Sequence, residues 1–75
     1  METILSEVLI FKTNIHEADV KTVAVVLDAD YRITRWSVDY GDIDCVLRIE
    51  SQQLTTEEVI GRVSNIGFHC EELPD

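Results

Sequence analysis

Basic residues are scarce in this chain, glycine and cysteine are scarcer, and no apolar stretch is long. Six lysines and arginines stand against fifteen aspartates and glutamates, a formal charge of -9 at pH 7. Lys12, Lys21, Arg32, Arg35, Arg48 and Arg62 are scattered along the sequence, so a phosphate backbone or an anionic lipid surface meets a repulsive field. Nucleic acid is not expected as a partner; a basic protein patch or a cation suits the field better. Three glycines leave little from which to build a phosphate-cradling loop, and Ser6, Ser37, Ser51 and Ser64 sit in no nucleophile motif. Carboxylates abound, yet a general acid or base needs a pocket, and a small sandwich offers little concavity. No catalytic residues and no enzyme activity are expected.

Cys45 and Cys70 are the only two cysteines, too far apart for a close-spaced redox or zinc motif. A reducing cytoplasmic compartment follows as the expectation. The longest apolar run, VAVVL at 23–27, ends at Asp28, far short of the roughly 18 to 20 residues that span a bilayer. The opening METILSEVLIFK has no early basic residue ahead of an apolar stretch and does not read as a secretion signal. No membrane association is expected.

What is present is enough for one domain, residues 1–75, with a core over about 8–73. Hydrophobic residues at 45% and charged residues at 28% are ordinary for a globular protein, although a chain of this size hides only about 60% of its unfolded surface. Val8-Leu9-Ile10-Phe11 reads as a first strand. The period then changes: Val20, Val23, Ala24 and Leu27 recur at helical spacing, predicting a helix of about four turns. Asn14 and Glu17 supply a plausible capping box, with Glu17 and Asp19 in the first turn's positive field.

A second strand, Ile33 to Asp39, and a third, Cys45 to Glu50, flank Tyr40-Gly41-Asp42-Ile43-Asp44, a composition suited to a tight reversal. Cys45, Leu47 and Ile49 share one face of the third strand, Val46, Arg48 and Glu50 the other. Thr55 and Glu58 form a second capping box, Leu54 and Val59 its hydrophobic staple, and Val59, Val63 and Ile66 a helical stripe that Gly67 ends. Phe68-His69-Cys70 opens a short last strand running into Glu71-Glu72-Leu73-Pro74-Asp75. The order βαββαβ implies an α+β, ferredoxin-like sandwich, a four-stranded antiparallel sheet with both helices on one face. Right-handed crossovers put the first and third strands in its centre.

Over residues 8–73 the chain resembles the heavy-metal-associated domain family, the small modules of copper chaperones and metal-transporting ATPases. The resemblance rests on Phe11 before the loop, on Val20, Val23 and Leu27, and on Ile33-x-x-Trp36-x-Val38-Asp39. Leu47, Ile49 and Gly67-Phe68-x-Cys70 complete it. In that family two cysteines of a Met-x-Cys-x-x-Cys segment after the first strand grip Cu(I). Here His16 and Asp19 stand in the cysteine positions and Asn14 in that of the methionine, so FKTNIHEADV looks like a metal loop without its chelating pair. Imidazole and carboxylate suit borderline or harder divalent ions such as Zn(II), Ni(II) or Cu(II). His16, Asp19 and His69, the last approaching from the final strand, are the candidate metal set, though two ligands on one turn are too few for a zinc site and a solvated helix start with a dipole-friendly aspartate is the favoured account of the first two. No other cofactor is implied.

The resemblance also puts Cys45 and Cys70 at inward positions that the family often fills with alanine, separated by the first strand, which disfavours a disulfide, and puts Trp36 among core-facing residues. The helix-free sheet face should then carry Val8, Ile10 and Val46 among Lys12, Arg35, Arg48, Glu50, His69 and Glu71, an apolar centre with a charged rim that suits a partner surface and an ordinary mixed sheet face alike. The implied function is a non-catalytic binding module acting by protein contact, through a partner protein or self-association. The alternative is a metal-ion-binding protein using His16 and Asp19.

Overall fold

The computed structural model describes residues 7–73. Residues 1–6, the first half of the segment weighed as a secretion signal and Ser6 with it, and residues 74–75 of the acidic tail lie outside the described residues. The chain forms β1 (Glu7–Thr13), α1 (Val20–Leu27), β2 (Ile33–Asp39), β3 (Val46–Ser51), α2 (Thr56–Asn65) and β4 (Cys70–Glu72), with a 3-10 turn at Glu17–Asp19 ahead of α1. The strands make one sheet in the order β2-β3-β1-β4, every pairing antiparallel. Central β1 and β3 pair Leu9 with Ile49 and Phe11 with Leu47, while β2 sets Trp36 opposite Ile49 and Val38 opposite Leu47.

Side chains alternate across a strand, so these residues share one face. Phe11, Leu47 and Ile49 are fully buried there with Val23 and Leu27 of α1 and Val59 and Val63 of α2, in a single core against which Leu9, Trp36 and Val38 pack. Both helices therefore cover the same face. Burying one such side chain contributes about 1.5–3 kcal/mol. Among the described residues no helix is long and apolar enough to cross a membrane.

The local signals for α2 hold. The Glu58 N–H donates to Thr55 Oγ1 at 3.2 Å and the Thr55 N–H to Glu58 Oε1 at 3.1 Å; Leu54 and Val59 are buried on either side of the cap. At the far end Gly67 takes φ 95°, the Gly67 N–H reaches the Ser64 carbonyl and the Phe68 N–H the Val63 carbonyl. That is the paired bonding of a left-handed helix stop, which glycine adopts without a Cβ penalty.

The first helix departs from expectation. It is eight residues long rather than four turns, and Asn14 with Glu17 does not cap it. His16 precedes the 3-10 turn in extended conformation, its N–H held by Asp19 Oδ2 at 3.0 Å, while Asn14 Oδ1 accepts the His69 N–H at 2.8 Å. The reason is Ile15, which is completely buried. Anchoring this side chain in the core delays the helix until the chain has turned. β3 likewise starts one residue later than expected, because Cys45 takes φ 44° to close the hairpin turn, a left-handed conformation costing on the order of 1–2 kcal/mol outside glycine.

Opposite that turn, a buried carboxylate gathers the chain. The Asp30 side chain is 3% exposed and pairs with Arg32 Nη2 at 2.9 Å and Arg62 Nη1 at 2.6 Å, while Arg32 Nη1 also reaches Glu58 Oε2 at 3.0 Å. Arg32 contributes its Nε and its backbone N–H to Asp30 as well. The hydrogen bonds from Arg32 hold the Asp30 carboxyl down at about 2 against burial, which pushes it up from the ordinary 3.8. Since the folded value is the lower one, the stabilisation is complete above the ordinary value and is lost as pH falls from near 4 through about 2; it is on the order of 2 kcal/mol. Chemical denaturation across this range should show that acid limb. Asp30→Asn should lose about 2 kcal/mol or more at pH 7, because Arg62 loses its carboxylate partner and Arg32 keeps only Glu58, and should flatten the limb; an unchanged limb in the variant would remove this carboxylate as its source.

Candidate functional site

Two regions hold the candidate residues: the end of the sheet where β1 runs into α1, and the helix-free face. At the end of the sheet Thr13 is the organiser. It is buried, its hydroxyl donates to the Cys45 carbonyl at 2.7 Å and accepts the Ile15 N–H at 3.1 Å, and its own N–H bonds the Asp44 carbonyl. The hairpin beside it is built as two aspartate turns, Gly41 N–H to Asp39 Oδ1 at 3.0 Å and Asp44 N–H to Asp42 Oδ1 at 2.8 Å. The packing brings Cys45 Sγ within 4.0 Å of His16 Nδ1. Burial, with the charges of Glu17 and Asp19 nearby, pushes the Tyr40 phenol above its ordinary value.

The expected metal trio is not assembled as a set. Asp19 spends one carboxylate oxygen on the His16 backbone, and the His69 ring lies 2.6 Å from Glu71 Oε2 on its own strand face. Among the described residues no group of three or more histidine, cysteine, aspartate or glutamate side chains is arranged to hold a metal ion. His16 instead has Cys45 as its neighbour, a pairing that separation along the chain concealed. The signal that could have found it is the hairpin itself, which returns Cys45 to the end of the sheet where β1 leaves for the loop.

On the helix-free face the ladder places Val8 opposite Glu50, Ile10 opposite Arg48, Arg48 opposite Ser37, Glu50 opposite Arg35 and Lys12 opposite Glu71. The apolar centre is smaller than expected: Val8 is 50% exposed and Ile10 half-buried, but Val46 is only 8% exposed and offers almost no surface. Lys12 sits 3.7 Å from Asp44; among the described residues Arg35 and Arg48 form no ion pair. Trp36 turns to the core side and its indole N–H donates to Asp28 Oδ1 at 2.7 Å. Ile43, within the segment whose composition predicts a tight reversal, projects from the hairpin tip at 96% exposure.

Comparison with protein-family models, with curated proteins and with solved structures finds no match to this chain.

Both thiols are free and buried, and β1 lies between β3 and β4 in the sheet. Burial, reinforced by Glu71, pushes the Cys70 thiol up to about 11. Only the thiolate reacts, so at neutral pH iodoacetamide should leave Cys70 unmodified in the folded protein and label it promptly in denaturant. Mass mapping of native and unfolded samples checks this; fast native labelling of Cys70 would show that the position opens readily.

Proposed function

We propose that the protein is a non-catalytic, ferredoxin-like binding module of heavy-metal-associated type that acts in the cytoplasm by protein contact through its helix-free sheet face. The sheet order with β1 and β3 central, and one core shared by both helices, support the fold part of this reading, since right-handed crossovers in a split βαβ chain produce that order. Its polar groups support the non-catalytic part, because those best placed are already engaged in structure. The Ser51 hydroxyl donates to the Arg32 carbonyl and accepts two loop N–H groups, Thr13 joins the loop to Cys45, and Asp30 is held by two arginines.

The observation that carries the contact reading is Arg48 beside exposed Val8 and half-buried Ile10, free of ion pairs among the described residues in a chain with fifteen acidic residues. Arginine next to apolar side chains is the usual composition of a protein-binding centre. Affinity capture with wild type, Val8→Lys and Arg48→Glu in parallel tests it. Proteins retained by wild type should be lost with both variants while their circular dichroism and melting stay close to wild type; identical retention by all three sinks the reading.

A second reading, an ion-binding protein using His16, is favoured by the 4.0 Å approach of Cys45 Sγ to His16 Nδ1. A thiolate and an imidazole at that separation can both reach one Zn(II) at ordinary bond lengths of about 2.3 and 2.0 Å. On this reading, titration calorimetry with Zn(II) under reducing conditions should show micromolar binding that weakens at least about tenfold in His16→Ala and in Cys45→Ser. Absence of heat, or an isotherm the same in His16→Ala, removes it.

A further inference from the structure

The sheet has two outer strands, and they differ. β4 is three residues, Cys70–Glu72, and carries two acidic side chains; laid against a second copy of itself it would put negative charge against negative charge. β2 is seven residues, Ile33–Asp39, and pairs only with β3 among the described residues. Its other edge therefore presents a row of backbone donors and acceptors, which natural sheets ordinarily guard with lysine, proline or a bulge. There is no lysine or proline in ITRWSVD, and the one irregularity lies between Ile33 and Arg35, leaving Arg35 to Asp39 as regular strand. In a chain of charge -9 this segment is locally neutral, with one arginine and one aspartate.

The placing of those two charges selects a register. Arg35 and Asp39 lie the same distance either side of Ser37, and all three share the helix-free face. In an antiparallel pairing of two copies about a two-fold axis at Ser37, each Arg35 falls opposite the other copy's Asp39, and each Trp36 opposite the other copy's Val38. Directly opposed residues keep their faces, so Trp36 and Val38, both half-buried on the helix side, meet their counterparts on that same side. Moving the axis to Trp36 sets Arg35 against Ser37, and moving it to Val38 sets Asp39 against Ser37; both lose the charge match.

We propose that β2 is a self-pairing edge: two copies of this chain join antiparallel through Arg35 to Asp39 with the axis at Ser37, forming a continuous eight-stranded sheet. The occupant is a second copy because the edge complements itself in charge, and the two-fold arrangement closes without leaving another β2 edge free. The inference rests on the reading of the protein as a contact module and names one of its partners. The pairing also joins the two helix-free faces side by side, so the surface that carries Arg48 and Val8 is doubled.

Sedimentation velocity in reducing buffer, from micromolar to millimolar protein, should show wild type passing from monomer to dimer. Arg35→Glu and Asp39→Lys, each repelling its own kind, should raise the dissociation constant about tenfold or more, and an equimolar mixture of the two should regain a dimer near wild-type affinity. Because Asp39 also holds the Gly41 N–H, an independent variant is needed. Directly opposed strand residues lie about 4.5–5.5 Å apart at Cα, within disulfide range. Ser37→Cys should therefore oxidise to a covalent dimer, whereas Thr34→Cys, which falls opposite Tyr40, should not.

A strictly monomeric wild type at millimolar concentration overturns the proposal. So does a dimer that neither charge variant weakens, a mixture that stays monomeric while wild type dimerises, or growth into open chains beyond a dimer. Arg48→Glu separates this inference from the reading beneath it. If wild type is monomeric but Arg48→Glu still loses the captured proteins, the edge proposal fails alone. If wild type dimerises through β2 but Arg48→Glu captures as wild type does, the face reading fails and the edge stands.

Discussion

Helices on one side of the sheet only are the constraint from which the other features follow. Phe11, Leu47 and Ile49 commit one face of the two central strands to the helices, and because the side-chain period along a strand is two, Ile10, Arg48 and Glu50 are committed to the other. A one-residue slip of β1 against β3 would exchange the two sets. A small chain cannot cover both faces, since two helices make one layer and no further element is available among the described residues. The exposed face is thus a consequence of the same alternation that makes the core.

A core this small needs its ends closed, and each end is closed by a polar group that is itself buried. Thr13 holds β1 to the hairpin through the Cys45 carbonyl and the Asp44 carbonyl. At the other end Ser51 binds the Arg32 carbonyl and two N–H groups of the next loop, beside the Asp30 cluster that ties the α1–β2 connection to α2. Each of these groups is satisfied, and no buried side-chain polar atom among the described residues is left without a partner. A half-satisfied group in so small a domain would remove a large share of its stability.

What the sequence made legible was whatever depends on local spacing. The bounds of β2, the capping box of Thr55 and Glu58, the stop at Gly67 and the inward set of β3 are signals contained within a few residues, and the structure has them. The misses share one cause. Ile15 is a lone apolar residue in a polar loop, Thr13 and Ser51 look like ordinary strand-end polar residues, and Asp30 is one acid among fifteen; each is defined by partners distant in the chain. The same holds at the candidate site, where Asp19 and His16 were readable as neighbours on one turn but the approach of Cys45 to His16 requires the hairpin to fold back. Alternation puts Val46 on the helix-free face, yet it says which way a side chain points and not how far its neighbours cover it.

The distribution of the six basic residues carries the reasoning one step further. Arg32 and Arg62 are consumed by Asp30 and Glu58, and Lys12 lies near Asp44, which leaves Lys21 on α1 and the two sheet arginines, Arg35 and Arg48, outside any ion pair among the described residues. In a field this negative an unpaired surface lysine is unremarkable, because its flexible stem and strong hydration make pairing nearly neutral. A sheet arginine is different: its planar donors suit a carboxylate held in defined geometry. Arg35 faces Glu50 across the ladder and Arg48 faces Ile10 and Ser37, so register and not charge sets what lies beside each of them. The surface that the fold leaves open is therefore also where positive charge remains uncommitted, and a second chain presenting carboxylates in strand register is the chemistry that would complete it.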